Sequence, residues 1–206
     1  MEVAMKKIGV LGGTFNPIHN GHLLLAETAR QEWGLDEVLL IPSGCSYMKD
    51  PREILPGPVR LEMARLAAAD NPYFRVSDLE IRRTGNSYTC DTIQELGQMF
   101  PDARLYHIVG ADTLFHMETW KEPERIFSGC ITLAAVRDGG QDEKLLRQAR
   151  HLMETYHTQV HLLPSLHLEI SATDIRNRCR QGKSIRYLVP ESVRLFLEEN
   201  GYYRSK

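Results

Sequence analysis

An α/β fold built on a doubly wound, mostly parallel sheet is what this 206-residue chain predicts, on three observations. Apolar runs of strand length alternate with segments of helical periodicity from one end to the other. Glycine and proline stand at most of the junctions between them. The first strand-like run passes through Gly12 and Gly13 straight into a helical pattern. Strands separated by helices pair in parallel, are covered on both faces, and present the loops at their carboxyl ends as a ligand edge.

Residues 7–11 carry Ile8, Val10 and Leu11 and read as the first strand. Residues 21–33 read as a helix stopped by Gly34, and residues 37–41 as a second strand ended by Pro42. A Pro/Gly-rich loop over 42–58 follows, then Leu61, Met63, Ala64, Leu66 and Ala67 mark a helix over 59–70. Residues 74–76 suit a short strand, 89–100 a helix, 104–109 a strand and 124–127 a short helix. A strand over 131–136, a helix over 143–157 and a last strand over 159–163 complete the alternation. The C-terminal portion, from residue 171, is helical. Ser171-Ala172-Thr173-Asp174 is a capping-box-like start with aspartate in place of the usual glutamate, and Gly182 supplies the stop. Pro190 opens a final helix that runs through Asn200 to Gly201. A single domain over residues 1–206 is expected, since neither a repeat nor a low-complexity linker interrupts the pattern.

Formal net charge is -2, with 42% hydrophobic and 25% charged residues. That balance disfavours a general nucleic-acid or anionic-membrane surface, so any phosphate recognition must be local. The first residues lack the apolar core of a signal peptide, and no stretch approaches the length of a membrane span. Cys45, Cys90, Cys130 and Cys179 are scattered without a CxxC pair, as reduced cytoplasmic thiols would be. Self-association into a homo-oligomer stays open.

Residues 12–22, Gly-Gly-Thr-Phe-Asn-Pro-Ile-His-Asn-Gly-His, hold the chemistry. A strand-to-helix junction gathers backbone N–H groups and about half a positive charge at the helix start. His19 and His22, three apart, can bring side-chain donors to the same anion. A bare Gly-Gly turn would be only a tight connection, and the glycine spacing does not match the dinucleotide fingerprint GxGxxG, so hydride transfer is disfavoured.

The whole string resembles the T/HxGH signature of the nucleotidyltransferase superfamily, and in particular the bacterial nicotinate mononucleotide adenylyltransferases. Ser87-Tyr88-Thr89-Cys90-Asp91-Thr92 is similar to that family's SYT-x-DT block. Gly110-Ala111-Asp112 with Trp120 resembles its GAD block and downstream tryptophan, and residues 170–176 match ISSTxIR apart from Ala172. The loop that usually carries PPHK reads Ser46-Tyr47-Met48-Lys49 and keeps only the lysine. A Rossmann-like nucleotidyltransferase fold is implied, with adenylyl transfer from ATP to nicotinate mononucleotide and Mg²⁺ held mainly by ATP phosphates.

On this resemblance Gly12, Gly13, Thr14, Phe15, His19, His22, Gly110, Asp112, Ser171, Thr173 and Arg176 bind ATP. Lys49, Tyr88, Thr89, Asp112 and Trp120 bind the mononucleotide, and His19, His22, Lys49 and Arg176 act in catalysis. Several of these residues also have a purely structural reading: Ser171, Thr173 and Thr89 as helix caps, Asp112 as an N-cap, Trp120 as core. Trp33 is assigned to the core. Other adenylyltransferases and the cytidylyltransferases share the opening motif but leave the Tyr88 and Trp120 blocks unexplained. Class I aminoacyl-tRNA synthetases would require a KMSKS-type sequence. A nucleotide sensor without turnover would have no need of the pyrophosphate-side cations His19, His22, Lys49 and Arg176.

Overall fold

The structure is a computed structural model that describes residues 5–44, 54–136, 143–164 and 170–204. Its strands are β1 (Lys6–Gly13), β2 (Glu37–Pro42), β3 (Phe74–Val76), β4 (Ala103–Gly110), β5 (Ile131–Ala135) and β6 (Val160–Leu163). They form one parallel sheet in the order β3-β2-β1-β4-β5-β6. The chain steps outward from β1 to β3, then returns to place β4 beside β1, which is the order of doubly wound nucleotide-binding sheets. Register pairs Ile8 with Leu105, Val10 with His107, and Ile108 with Leu133.

The helices are α1 (Asn20–Trp33), α2 (Gly57–Ala68), α3 (Leu79–Arg82), α4 (Thr89–Met99), α5 (Ala111–Leu114), α6 (Pro123–Gly129), α7 (Glu143–Tyr156), α8 (Ala172–Arg180) and α9 (Glu191–Glu199). A 3-10 turn covers Met117–Thr119. Among the described residues, no helix is long and apolar enough to cross a membrane.

Two compact units divide the chain. The first comprises Met1–Leu11, Leu25–Leu39 and Ser87–His167. Its core holds Ile8, Val10, Leu105, Ile108 and Leu133, and α7 contributes Leu145, Ala149 and Leu152, spaced three and four apart on one buried face. Gly9 lies where an added Cβ would stand 2.9 Å from Leu35 and 3.0 Å from Ile108, so a side chain there would force these buried neighbours to shift. The second unit comprises Gly12–Leu24, Leu40–Asn86 and Leu168–Lys206. There α2 buries Leu61, Met63, Ala64 and Ala67, while α9 buries Val193 and Leu197 and is fastened to α2 by a 3.0 Å bond from Ser192 Oγ to Leu66 O.

All six expected strands are present, and most boundaries differ by one or two residues. β1 runs two residues further, to Gly13, because Ser43 N–H donates to Gly13 O at 2.8 Å and continues the ladder. Helices α3 and α5 and the 3-10 turn were not expected, since segments of three or four residues are too short to display a period. Trp33 is half-buried rather than a core residue. It lies near the carboxyl end of α1 with its ring 4.2 Å from His161 and 6.0 Å from Tyr106.

Candidate active site

The turn between β1 and α1 is shaped by one buried aromatic ring. Phe15 has a left-handed backbone, φ 48°, yet only 2% of it is exposed. A left-handed residue other than glycine costs roughly 1–2 kcal/mol, and burying a phenylalanine ring contributes about 1.5–3 kcal/mol. The ring lies so close under Gly13 that an added Cβ there would stand 2.8 Å from Phe15 Cε1. Gly13 is therefore required by close approach, and Phe15 in turn meets His22 edge-on at 5.0 Å. The Asn16–Pro17 peptide within this turn is cis.

His19 and His22 converge as their spacing predicts. Their rings stack with centroids 3.6 Å apart and planes 25° apart. His19 N–H donates to His22 Nδ1 at 3.2 Å, which leaves the proton of a neutral His22 ring on Nε2. Burial pushes His19 down to about 4, so at neutral pH it is an uncharged imidazole. Its Nδ1 is buried and has no hydrogen-bond partner among the described residues. This corrects one expectation, because His19 is a neutral imidazole here and not a cation.

The start of α1 is held from outside the helix. Asn20 N–H donates to Leu188 O at 2.9 Å, and Asn20 Nδ2 donates to Tyr187 O at 2.7 Å. His22 N–H is likewise bonded, to His19 O.

Helix α8 begins next to this turn. Ser171 is its N-cap, with Oγ accepting from Asp174 N–H at 3.1 Å, as the capping-box reading expects. An added Cβ at Gly21 would lie 3.6 Å from Ile170 Cβ, so the first turns of α1 and α8 adjoin. Arg176 donates from one terminal nitrogen to Asn16 O at 3.0 Å and from the other to Thr173 Oγ1 at 3.2 Å. Its Nε is buried without a hydrogen-bond partner among the described residues. Ser171 and Thr173 thus both cap or support locally while standing beside the turn between β1 and α1. Gly12, Gly13, Thr14, Phe15, His19, His22, Ser171, Thr173 and Arg176 all belong to this one unit. Lys49 and Cys45 lie outside the described residues.

Two residues that sequence reasoning did not select complete the turn. Asn16 is 5% exposed, and its Oδ1 accepts from Leu55 N–H at 3.0 Å and from Tyr203 O–H at 2.6 Å. Burial raises the Tyr203 phenol well above its ordinary value, so it remains a protonated donor. Asn16 stood within the quoted motif without an assigned role; nothing local pointed to Tyr203.

The remaining site candidates lie in the other unit. Gly110 ends β4 and caps α5, so Asp112 is an exposed first-turn residue and not the N-cap. Tyr88 precedes α4 without a side-chain cap bond, so Thr89 opens the helix and does not cap it. Lys121 Nζ lies 4.4 Å from the Tyr88 ring centroid and 3.6 Å from Asp91 Oδ2, which connects the Tyr88 block to the chain just after Trp120. Trp120 is half-buried, with its ring 6.2 Å from His107. The 3-10 turn before it is tied to α7 through Glu118, another residue not foreseen. Glu118 accepts from Gln148 at 3.1 Å, pairs with His151 at 3.0 Å, and accepts from Tyr156 O–H at 3.5 Å.

His107 is 5% exposed, and burial pushes it, like His19, down to about 4. An unfolded chain takes up these protons near pH 6.5. Below that value it binds more protons than the native state, so stability falls as pH drops from 6.5 toward 4. Between pH 7 and pH 5 the expected loss is roughly 2 kcal/mol per histidine, read as a lower urea midpoint. Equal midpoints at the two pH values would contradict burial of both rings in the neutral form.

Comparison with known proteins gives a consistent result. A family model described as cytidylyltransferase-like matches residues 10–178. A "probable nicotinate-nucleotide adenylyltransferase" of Lachnoclostridium phytofermentans is 42% identical over 97% of this chain and 100% of that protein. Proteins of the same name from Desulfitobacterium hafniense and Moorella thermoacetica are 43% and 40% identical, over 97% of this chain and 96% and 93% of theirs. Among solved structures, Plasmodium falciparum nicotinic acid mononucleotide adenylyltransferase complexed with NaAD gives a TM-score of 0.77 at 18% identity, covering 96% of this chain and 97% of that one. At that identity the likeness carries the fold alone. Because sequence agreement extends over nearly the full length of chain and relatives alike, the chain belongs to the cytidylyltransferase-like family and, within it, to the nicotinate-nucleotide adenylyltransferases.

Proposed function

We propose that this protein transfers the adenylyl group of ATP to nicotinate mononucleotide, forming nicotinate adenine dinucleotide and pyrophosphate for NAD synthesis. The observation that carries the reading is the stacked His19–His22 pair at the start of α1, beside the α8 turn that bears Arg176. Imidazole, hydroxyl and guanidinium groups on one turn suit polyphosphate oxygens.

In the reaction an oxygen of the mononucleotide phosphate attacks the α-phosphorus of ATP, and the bond from that phosphorus to the bridging oxygen breaks. Pyrophosphate carries away the electron pair. The attacking phosphate has a second pKa of about 6 and is already largely dianionic, so no base is required. The barrier is repulsion, roughly 4 kcal/mol per pair of unit charges at 4 Å with an effective dielectric near 20. Neutral His19 and the His22 imidazole donate hydrogen bonds to phosphate oxygens, while Arg176 on α8 supplies positive charge for the leaving group. Gly12, Gly13, Thr14 and Phe15 shape the cradle, and Ser171 and Thr173 add hydroxyls at its far side.

Gly110 and Asp112 receive ribose hydroxyls, Trp120 stacks on the pyridine ring, and Lys49 meets the mononucleotide phosphate. Thr89 and the Tyr88 backbone donate to the pyridine carboxylate; an amide substituent would add an NH₂ donor facing donors. Bound Mg²⁺ neutralises phosphate charge. The side chains gathered at the turn are mostly nitrogen donors and not the oxygen ligands a hard cation prefers, so the ion would be held mainly through ATP phosphates. The buried thiols Cys90 and Cys130, both unpaired, accord with a cytoplasmic site of action.

Pyrophosphate release measured with ATP, Mg²⁺ and either the acid or the amide mononucleotide tests the reading. Faster turnover of the acid is expected. Preference for the amide would overturn the substrate, and nucleotide binding without pyrophosphate release would favour a sensor.

A further inference from the structure

Arg60, on α2, is 3% exposed, an uncommon burial for a charged side chain. Among the described residues, its hydrogen bonds go to backbone carbonyls on three separate segments. Nε donates to Leu55 O at 2.9 Å, one terminal nitrogen to Thr14 O at 2.7 Å, and the other reaches Gly44 O at 3.5 Å. Glu80, 9% exposed, faces the same place and accepts from Gly44 N–H at 3.4 Å. Its charge supports the guanidinium against the cost of burial. Leu55 is held a second time, through its N–H to Asn16 Oδ1 at 3.0 Å.

The geometry points to Arg60 as a positioning residue that joins the phosphate turn at Thr14 to Gly44 and Leu55, which flank residues 45–53, so that the three move as one body. A rigid planar fork with donors in three directions can do this. An ammonium group, a compact point charge, cannot reproduce the fork. The consequence is that Thr14 and Asn16, and through Asn16 O the Arg176 guanidinium, are placed by α2, a helix that touches no substrate in the proposed reaction. The kinetic part of the inference rests on the adenylyl-transfer reading; the mechanical part does not.

Native-state hydrogen exchange of the full wild-type chain tests the mechanical part first. The amides of Ser43, Gly44 and Leu55 are expected to open together, with one shared dependence on urea. Independent opening of the two flanks would overturn the inference. In Arg60→Lys, exchange at both flanks should rise together by at least about tenfold, the size expected for a lost hydrogen bond to a charged group, while the amides of α8 stay unchanged. Unaltered exchange at either flank would also overturn it.

Kinetics of the same variant, corrected for folded fraction, should show KM for ATP raised at least about tenfold. In Arg60→Ala, added methylguanidinium should recover part of the loss. A KM equal to wild type, with activity falling only in step with folded fraction, would reduce Arg60 to a stability role. Should the wild type itself release no pyrophosphate, the adenylyl-transfer reading fails, and the exchange data still decide whether Arg60 couples the segments.

Discussion

His22→Ala is expected to lower kcat by about a hundredfold to a thousandfold, the usual effect of removing one preorganised donor to a developing charge. The arrangement of the ring explains why the loss should be large. His22 Nδ1 accepts from the His19 amide, so a neutral His22 ring carries its proton on Nε2 before substrate arrives. No reorganisation is then needed as charge builds on the phosphate oxygens. Removing the ring also takes away the stacking partner of His19 and leaves the His19 amide without its acceptor. Pyrophosphate release per folded molecule is the measurement, with circular dichroism as the check on folding. Near-normal turnover would remove His22 from the mechanism.

Trp120→Ala should act on the other substrate. Stacking of a base on an aromatic ring is worth roughly 1–3 kcal/mol, so KM for the mononucleotide should rise between about fivefold and a hundredfold. KM for ATP should change by less than about twofold, since stacking on Trp120 is assigned to the pyridine alone. The ring's place depends on the 3-10 turn before it, which Glu118 holds against α7 through Gln148, His151 and Tyr156. Equal weakening of both substrates would contradict the stacking role.

The parts of the fold that were legible in the sequence were those with local causes. β2, the run Glu-Val-Leu-Leu-Ile-Pro, is buried at every position, as a strand covered on both faces must be. Gly182 and Gly201 adopt left-handed φ of 65° where helices were expected to stop. The cap of α8 came from four consecutive letters. Helices α3 and α5 were missed because one turn of helix has no periodicity to read. The Asp112 and Thr89 cap readings failed for a related reason: a shift of one or two residues in a helix start moves the cap to a neighbour.

For the site the division is between spacing and environment. That His19 and His22 could meet follows from their separation by one helical turn. The protonation of His19 does not, because its shift to about 4 arises from burial. Thr14 and Arg60 are 46 residues apart, Asn16 and Arg176 are 160 apart, and Asn16 and Tyr203 are 187 apart. No local pattern announces such partners.

By itself, then, the sequence determined the alternation of strands and helices, the meeting of His19 and His22 after the first strand, and the family whose motif blocks appear in order. Each of these is written in neighbouring residues, where periodicity, capping and glycine freedom act over a few positions. Only the tertiary structure decided that His19 is neutral, that Arg176 is bonded to a backbone carbonyl, and that Arg60 and Tyr203 support the turn. Desolvation and hydrogen bonding between distant segments are properties of packed space, and they exist only once the chain has folded.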